Sequence, residues 1–230
     1  MAMKTQLSST SHDDTLRAYA GLRQLLVLDQ LPPGKRLPEV EWSNRLQTSR
    51  PAIREALALL AHEELLVRGE RGGFFVAEYT QEDLAKIFQA RIVVETGAVR
   101  LMVGRELDQK LLDRMGEYCK TMEYLLNHEI WLGFCEIDRK FHMTLVELAG
   151  NEWLVRMHRR TPAGQFVFPE ADSATIKQVG LDVTRAHREI HQAICERRTE
   201  DAVVALEKHL TLDPSHQHRF RKRQKSKRKR

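Results

Sequence analysis

The chain has 230 residues, of which 42% are hydrophobic and 30% are charged, a composition typical of a globular protein with one large or two modest domains. No segment approaches the roughly 18 consecutive apolar residues that cross a membrane. The N-terminus lacks the apolar core of a signal peptide, so we expect a cytoplasmic protein without a membrane partner. Cys119, Cys135 and Cys195 are odd in number and widely spaced, which favours reduced thiols over a disulfide framework.

The formal net charge of +5 comes from the end of the chain. From Arg219 onward nine residues are Lys or Arg and none is acidic, which leaves 28 basic and 32 acidic residues in the rest. Such a run repels itself and has little apolar surface to bury, so residues 217–230 are expected to form a disordered basic tail. The tail either keeps the protein soluble or attracts phosphates without sequence preference.

After a leader over residues 1–12, which is expected to be flexible, residues 13–78 carry a regular order of helix and strand patterns. Apolar residues at helical spacing from Asp14 to Asp29 predict a first helix, which ends at the proline-glycine sequence LPPGKRL. PEVEWSNRL predicts a short second helix. A third helix ends near Glu63 and is followed by LLVRGERGGFFVAEY, whose glycine-rich centre predicts a β-hairpin. This is the order of a winged helix-turn-helix.

The third helix is predicted to be the recognition helix. Thr48 or Ser49 can cap its start, and Pro51 suits its first turn. Arg50 and Arg54 lie four residues apart on one side of it, where they can reach phosphates or guanine edges in the major groove. Arginines at a helix start are also often only solvated, so the pair by itself leaves both interpretations open.

The sequence LPPGKRLPEVEWSNRLQTSRPAIREALALLAHEELLVRGERGGFFV resembles the DNA-binding domain of the GntR family of bacterial transcription regulators. In that family a proline-glycine turn, an acidic Leu-x-Glu segment, SRxxxREAL and an RGxFV wing recur in this order. Trp42 stands where leucine is usual, and Gln47 and Glu64 stand where glycine is usual. The resemblance implies the following DNA-contacting residues: Arg36, Arg45, Ser49, Arg50, Arg54 and Arg71.

Residues 79–216 show helical periodicity without a competing strand pattern, so the predicted fold class is mainly α, with an all-α helical bundle after the winged helix-turn-helix. Five helices are expected in this half: TQEDLAKIFQARIVVETGAVRLMV, which begins at Thr80; Asp108 to Leu126; IWLGFCEIDRKFHMTLVELAG; Thr175 to Cys195; and Thr199 to Leu212. HRRTPAGQFVFPEADS is expected to interrupt the bundle.

Four polar residues of this half, Asp138, His142, His187 and His209, lie within apolar stripes. A single buried histidine is usually a satisfied core residue, but three beside a carboxylate suggest one shared partner. A divalent metal fits this donor set: Zn²⁺, Ni²⁺, Mn²⁺ or Fe²⁺, with two coordination positions left open if the ion is six-coordinate.

The spacing of these residues and the sequence HREIHQAICERRTEDAVVALEKHL resemble the ligand-binding FCD domain of FadR-type GntR regulators. A metal-binding subset of that domain uses one Asp and three His, which implies Asp138, His142, His187 and His209 as the ligands. His191 then either supports one of these ligands without binding the metal or faces solvent. Motif positions implied for an effector site are Arg91, Glu95 and Asn151. Arg91 either contacts an anionic effector or forms a structural ion pair.

HREIH resembles a metalloprotease signature, but Arg188 stands where the general-base glutamate would be, and Glu189 would point to the opposite side of the helix. We therefore do not expect an enzyme. A non-specific architectural DNA binder would leave the helical half unexplained. The sequence favours a homodimeric repressor that binds a double-stranded operator under the control of a small carboxylate or sugar-acid effector.

Overall fold

The structure is a computed structural model. It describes residues 2–28, 30–162 and 173–212, and for residues 2–12, 81, 173 and 212 it describes the backbone alone. The chain divides into two compact units, residues 1–78 and 79–230. The predicted basic tail lies outside the described residues. Among the helices that are described, none is long and apolar enough to cross a membrane.

The first unit contains three helices and a two-stranded antiparallel sheet within its described residues, which confirms the predicted order. Its elements are α1 (Ala2–Val27), α2 (Glu39–Leu46), α3 (Arg50–His62), β1 (Leu66–Arg68) and β2 (Phe74–Val76).

The start of α1 differs from the sequence prediction. The helix begins at Ala2 rather than near Asp14, so the stretch expected to be a flexible leader continues the first helix. Residues 2–12 contain neither proline nor glycine, and nothing in them stops a helix that later residues nucleate.

Packing of α1 against α3 holds the first unit together. Leu22 and Leu57 are fully buried between them, together with Trp42 of α2, which fills the position where leucine was expected. At the edge of this core the Thr15 hydroxyl donates to Glu55 at 2.9 Å, and the Tyr19 hydroxyl donates to Glu63 at 2.5 Å. These bonds fix α3 against the longest helix of the unit.

The sheet is the predicted hairpin. Leu66 pairs with Val76 and Arg68 with Phe74, so the strands close on a turn that contains Gly72 and Gly73, with φ of +83° and +84°. The segment before α2 also joins this sheet, because the backbone N–H of residue 37 donates to the carbonyl of residue 74 at 2.9 Å.

Two non-glycine residues of this unit adopt left-handed backbone conformations. Gln47, which ends α2, has φ of +49°, and Glu64, just after α3, has φ of +58°. These are the two positions where glycine is usual in the resembling family. The backbone therefore keeps the turn that glycine favours, although the side chains present carry a steric cost there.

The second unit is a helical bundle, as predicted. Within its described residues the elements are α4 (Gln81–Leu101), α5 (Gln109–Asn127), α6 (Trp131–Leu148), α7 (Glu152–Arg159), α8 (Ser173–Cys195) and α9 (Thr199–Leu212). The helix α7 was not predicted, because its last residues were assigned to the interruption that begins at His158. Helicity instead continues to Arg159.

The bundle core is aliphatic and aromatic. Phe141 and Leu145 of α6 are fully buried, with Met115 of α5 and Ile190 of α8 against them. Phe134 and Ile137, which lie on the turns of α6 before Phe141, are only half-buried. The cysteines are free thiols, as expected, and burial raises the pKa of Cys119 to about 11, so that this thiol stays protonated at neutral pH.

Candidate functional site

The residues implied as DNA contacts lie on the surface of the first unit. All six side chains, Arg36, Arg45, Ser49, Arg50, Arg54 and Arg71, are exposed. Three local structures carry these side chains: the start of α3, the last turn of α2, and the hairpin with the segment paired to it. Their contacts with DNA stay a prediction.

The start of α3 is built by its cap. Ser49 accepts a hydrogen bond from the backbone N–H of Ala52 at 3.3 Å, and Pro51 lies in the first turn, so Ser49 rather than Thr48 is the cap. Arg50 and Arg54 project from the exposed side of the helix, while Ile53 faces the core. One side anchors the helix and the other presents positive charge.

The remaining arginines surround this helix start and the hairpin. The guanidinium of Arg45 lies over the Trp42 ring, 4.8 Å from its centroid, which restricts the rotation of an exposed side chain. Arg71 lies in the hairpin turn. Arg36 forms an isolated β-bridge with Phe75, so its backbone is fixed beside the hairpin.

In the second unit, the four predicted metal ligands converge. The Nε2 atom of His142 is 3.1 Å from Nε2 of His187 and 3.2 Å from Nε2 of His209. Asp138 Oδ1 lies 3.4 Å from His187 Nε2. One ligand atom from each of the four residues lies within 4.8 Å of all the others. Three separate helices, α6, α8 and α9, supply them.

The protons of two of these imidazoles are directed away from the point of convergence. Nδ1 of His142 contacts a carboxylate oxygen of Glu95 at 2.6 Å, and Nδ1 of His187 contacts the Val183 carbonyl at 2.8 Å. Both acceptors require Nδ1–H, so in the neutral rings both Nε2 atoms present lone pairs. Burial, with the neighbouring His209 and His142, holds the pKa of His187 well below its ordinary value, which keeps this ring neutral.

When both rings are neutral, these two lone pairs face each other 3.1 Å apart in a buried site, and a cation between them removes the repulsion. Nitrogen ligands about 2.0–2.1 Å from one ion lie about 3 Å apart. The donor set therefore fits a divalent metal. Asp138, whose side chain is 20% exposed, is the ligand nearest to solvent, while the three histidines are at most 8% exposed.

Glu95 of α4 connects this cluster to two further side chains, Arg91 and His158. One of its carboxylate oxygens contacts His142; the other accepts from Arg91 Nε at 2.9 Å and from His158 Nε2 at 3.1 Å. Burial alone would raise the pKa of Glu95, but Arg91 and His142 hold it well below its ordinary value, so the carboxylate is ionised. Glu95, implied as an effector contact, thus orients the His142 ring.

His158 is a residue of this network that sequence reasoning missed. It lies on α7, is 2% exposed, and its Nδ1 has no hydrogen-bond partner among the described residues. Nη2 of Arg91 is also buried and has none there. A helix-start signal was available: Asn151 caps α7 by accepting from the backbone N–H of Trp153 at 3.0 Å. Asn151, implied as an effector contact, thus has a capping role in this structure.

The two histidines of HREIH, His187 and His191, point to different parts of the bundle. Nε2 of His191 contacts the Leu112 carbonyl of α5 at 3.0 Å. The ring was expected either to support a metal ligand or to face solvent, and it packs against α5 instead. Glu189 is exposed, and Arg188 pairs with Glu123. The geometry of a metalloprotease helix, in which both histidines bind one ion, is therefore not formed.

Comparison with known families accounts for both units. Residues 15–76 match the bacterial regulatory proteins of the gntR family, and residues 86–212 match the FCD domain. The DNA-contact candidates fall in the first match, and the histidine cluster falls in the second.

Individual relatives are similar over most or part of the chain. YdhC of Bacillus subtilis (strain 168), an uncharacterized HTH-type transcriptional regulator, is 25% identical over 87% of this chain and 89% of its own. The Nta operon transcriptional regulator of Aminobacter aminovorans is 34% identical over 55% of this chain and 60% of its own. A crystal structure of a GntR regulator from Rhodococcus sp. RHA1 is 26% identical, with a TM-score of 0.66 over 88% of this chain and 96% of that one. The chain therefore belongs to the gntR family of bacterial regulatory proteins, carries an FCD domain, and is a transcriptional regulator.

Proposed function

We propose that this regulator is a FadR-type repressor whose affinity for its operator is set by a small carboxylate or sugar acid, bound at a divalent metal in the helical unit. The observation that carries the proposal is the approach of three buried imidazole nitrogens. Nε2 of His142 lies 3.1 Å from that of His187 and 3.2 Å from that of His209, and the Asp138 carboxylate lies beside them. A metal held by these four residues would supply a Lewis-acidic position for a carboxylate oxygen.

Groups of the chain itself favour an anionic effector. Arg91 is 3% exposed, and its Nη2 has no partner among the described residues. A buried guanidinium nitrogen without an acceptor is costly, and an effector carboxylate or a water would satisfy it. Asp138 is the most accessible of the four ligands, which marks the side from which a small molecule could enter.

Control of DNA binding requires linkage between the two units. An effector changes operator affinity only if it binds one arrangement of the protein more tightly than another. The ligands lie on α6, α8 and α9, and Glu95 ties them to α4, the first helix after the DNA-binding unit. A change in the cluster therefore acts on the helix that continues the chain from the winged helix-turn-helix.

We further propose that the regulator works as a homodimer on a near-palindromic operator. One recognition helix contacts too few base pairs to be selective in a genome, and a two-fold pair of helices contacts two half-sites. Repression follows where the operator overlaps the promoter, because the bound regulator then excludes RNA polymerase.

The test is a two-stage binding experiment. Genomic fragments of the source organism are enriched on the wild-type protein and on Arg54→Ala, and the fragment enriched only by wild type is titrated with acetate, lactate, citrate and gluconate. We expect at least one of these anions to change the affinity of metal-loaded wild type by 10-fold or more (on the order of 1.4 kcal/mol of coupling). His187→Ala should not respond. Equal responses of the two proteins, or no response to any anion, would contradict metal-linked control.

A further inference from the structure

The guanidinium of Arg54 is held by a residue of the preceding helix. Nε of Arg54 donates to Oε1 of Glu39 at 3.0 Å, and Nη2 donates to Oε2 at 2.8 Å. Glu39 lies in the first turn of α2, so this pair of bonds joins α2 to the exposed side of α3. Arg54 lowers the pKa of Glu39 chiefly through these hydrogen bonds, and the carboxylate is ionised at neutral pH.

With respect to the described residues, the contact with Glu39 leaves one edge of the guanidinium free. A guanidinium carries N–H groups on Nε, Nη1 and Nη2 in one plane, and Glu39 uses the edge formed by Nε and Nη2. The edge formed by Nη1 and the second N–H of Nη2 stays available. That edge has the parallel donors that fit O6 and N7 of guanine. The Arg54 side chain is 64% exposed and that of Glu39 26%, so the carboxylate is the better shielded partner.

We propose that Glu39 is a positioning residue that determines specificity, because it orients Arg54 for a guanine edge. The proposal rests on the function proposed above, in which Arg54 contacts the operator. A held guanidinium loses less rotamer freedom when it meets a base, and it is less free to turn toward a phosphate. A phosphate contact is the same on every DNA sequence, whereas a guanine contact is not. Restraint of Arg54 toward guanine therefore increases discrimination between sequences more than it increases affinity.

The negative charge of Glu39 acts in the same direction. A carboxylate near the DNA surface repels phosphates, which weakens binding to any duplex. Loss of Glu39 should therefore have opposite effects on the two kinds of binding: weaker discrimination, and unchanged or stronger affinity for unrelated DNA. A residue that merely supports the fold would weaken both together.

The test selects duplexes from a library with a randomised central segment. Wild type, Glu39→Ala, Glu39→Gln, Arg54→Ala and Glu41→Ala are used in parallel at one salt concentration. Glu41 is the matched control, since it lies exposed in the same turn of α2, and its removal changes the charge equally without touching the Arg54 bonds. Affinities are then measured for the selected consensus, for the same duplex with its contacted guanine changed to adenine, and for an unrelated duplex.

We expect wild type and Glu41→Ala to prefer guanine by roughly 5- to 150-fold, the range of one bidentate arginine–guanine pair, and Glu39→Ala to prefer it by less than about 3-fold. Glu39→Gln keeps one acceptor oxygen and should fall between them. A Glu39→Ala protein that selects the wild-type consensus with wild-type discrimination would overturn the proposal. Selection of that consensus by Arg54→Ala would instead overturn the assignment of Arg54, and the proposal with it.

Discussion

The two units place their functional residues in opposite environments. The first unit carries separate exposed arginines on a buried apolar scaffold, and each can be changed without opening the core. The second unit gathers its histidines inside the bundle, where one carboxylate, Glu95, contacts three neighbours at once. Exposed charges are suited to a large polyanion such as duplex DNA, whereas buried donors are suited to a small ligand. Substitutions should accordingly separate binding from stability in the first unit and couple them in the second.

The largest effect is expected for the buried carboxylate. Glu95→Ala leaves the guanidinium of Arg91 buried without its counter-charge, which should lower the free energy of unfolding by about 3–5 kcal/mol. The matched control is Glu82→Ala on the same helix, whose partner Lys86 is also four residues away but is 66% exposed. We expect this control to change stability by less than about 1 kcal/mol. Denaturant unfolding of chelator-treated protein measures both, and equal losses would show that burial does not distinguish these pairs.

Arg54→Ala should separate binding from stability. We expect its affinity for the selected operator to fall by about 10- to 100-fold, because each half-site loses one bidentate base contact. The melting temperature should stay within about 2 °C of wild type, since the side chain is exposed. Arg17→Ala on α1, which removes an exposed arginine paired with Asp14, is the control and should bind as wild type does. A gel-shift titration with equal affinity for Arg54→Ala and wild type would remove Arg54 from the recognition surface.

Acid should destabilise the metal-free helical unit before other parts of the chain. Burial lowers the pKa of both His187 and His158 in the folded state, so below about pH 6.5 the unfolded chain binds more protons and stability falls as the pH falls. Melting of chelator-treated protein between pH 7.5 and 5 measures the slope. His187→Leu should flatten it, because the buried imidazole whose pKa is lowered is then absent. A slope unchanged by His187→Leu would contradict the neutral buried imidazole.

The smallest effect is expected at the left-handed positions of the first unit. Gln47→Gly and Glu64→Gly remove a side chain from backbone with φ of +49° and +58°. Relief of backbone strain in the folded state should outweigh the free-energy cost of the extra conformational entropy that glycine gives the unfolded chain. Each change should therefore stabilise the unit by about 0.5–1 kcal/mol. Thermal unfolding of the single variants measures this. Destabilisation by either change would mean that its side chain makes contacts worth more than the backbone strain.

Local patterns predicted much of this molecule. Turn residues and helical spacing predicted the order of elements in the first unit, and the same spacing placed Asp138 and His142 on one side of α6. Long-range contacts have no such signal. The bond between Glu95 and His142 joins residues 47 positions apart, and no spacing on either helix indicates it. His158 was missed because a basic sequence before a proline was interpreted as the end of helicity, although Asn151 supplies a helix cap.

The most direct measurement for the central claim is the metal content of tag-free protein by elemental analysis, with wild type beside His187→Ala. The four converging ligands predict close to one divalent ion per chain in wild type and a near-complete loss in the variant. The exposed histidine variant His62→Ala should retain the wild-type content. Wild-type protein prepared without chelator that holds no metal, and takes up none on dialysis against Zn²⁺, Ni²⁺, Mn²⁺ or Fe²⁺, would contradict the account.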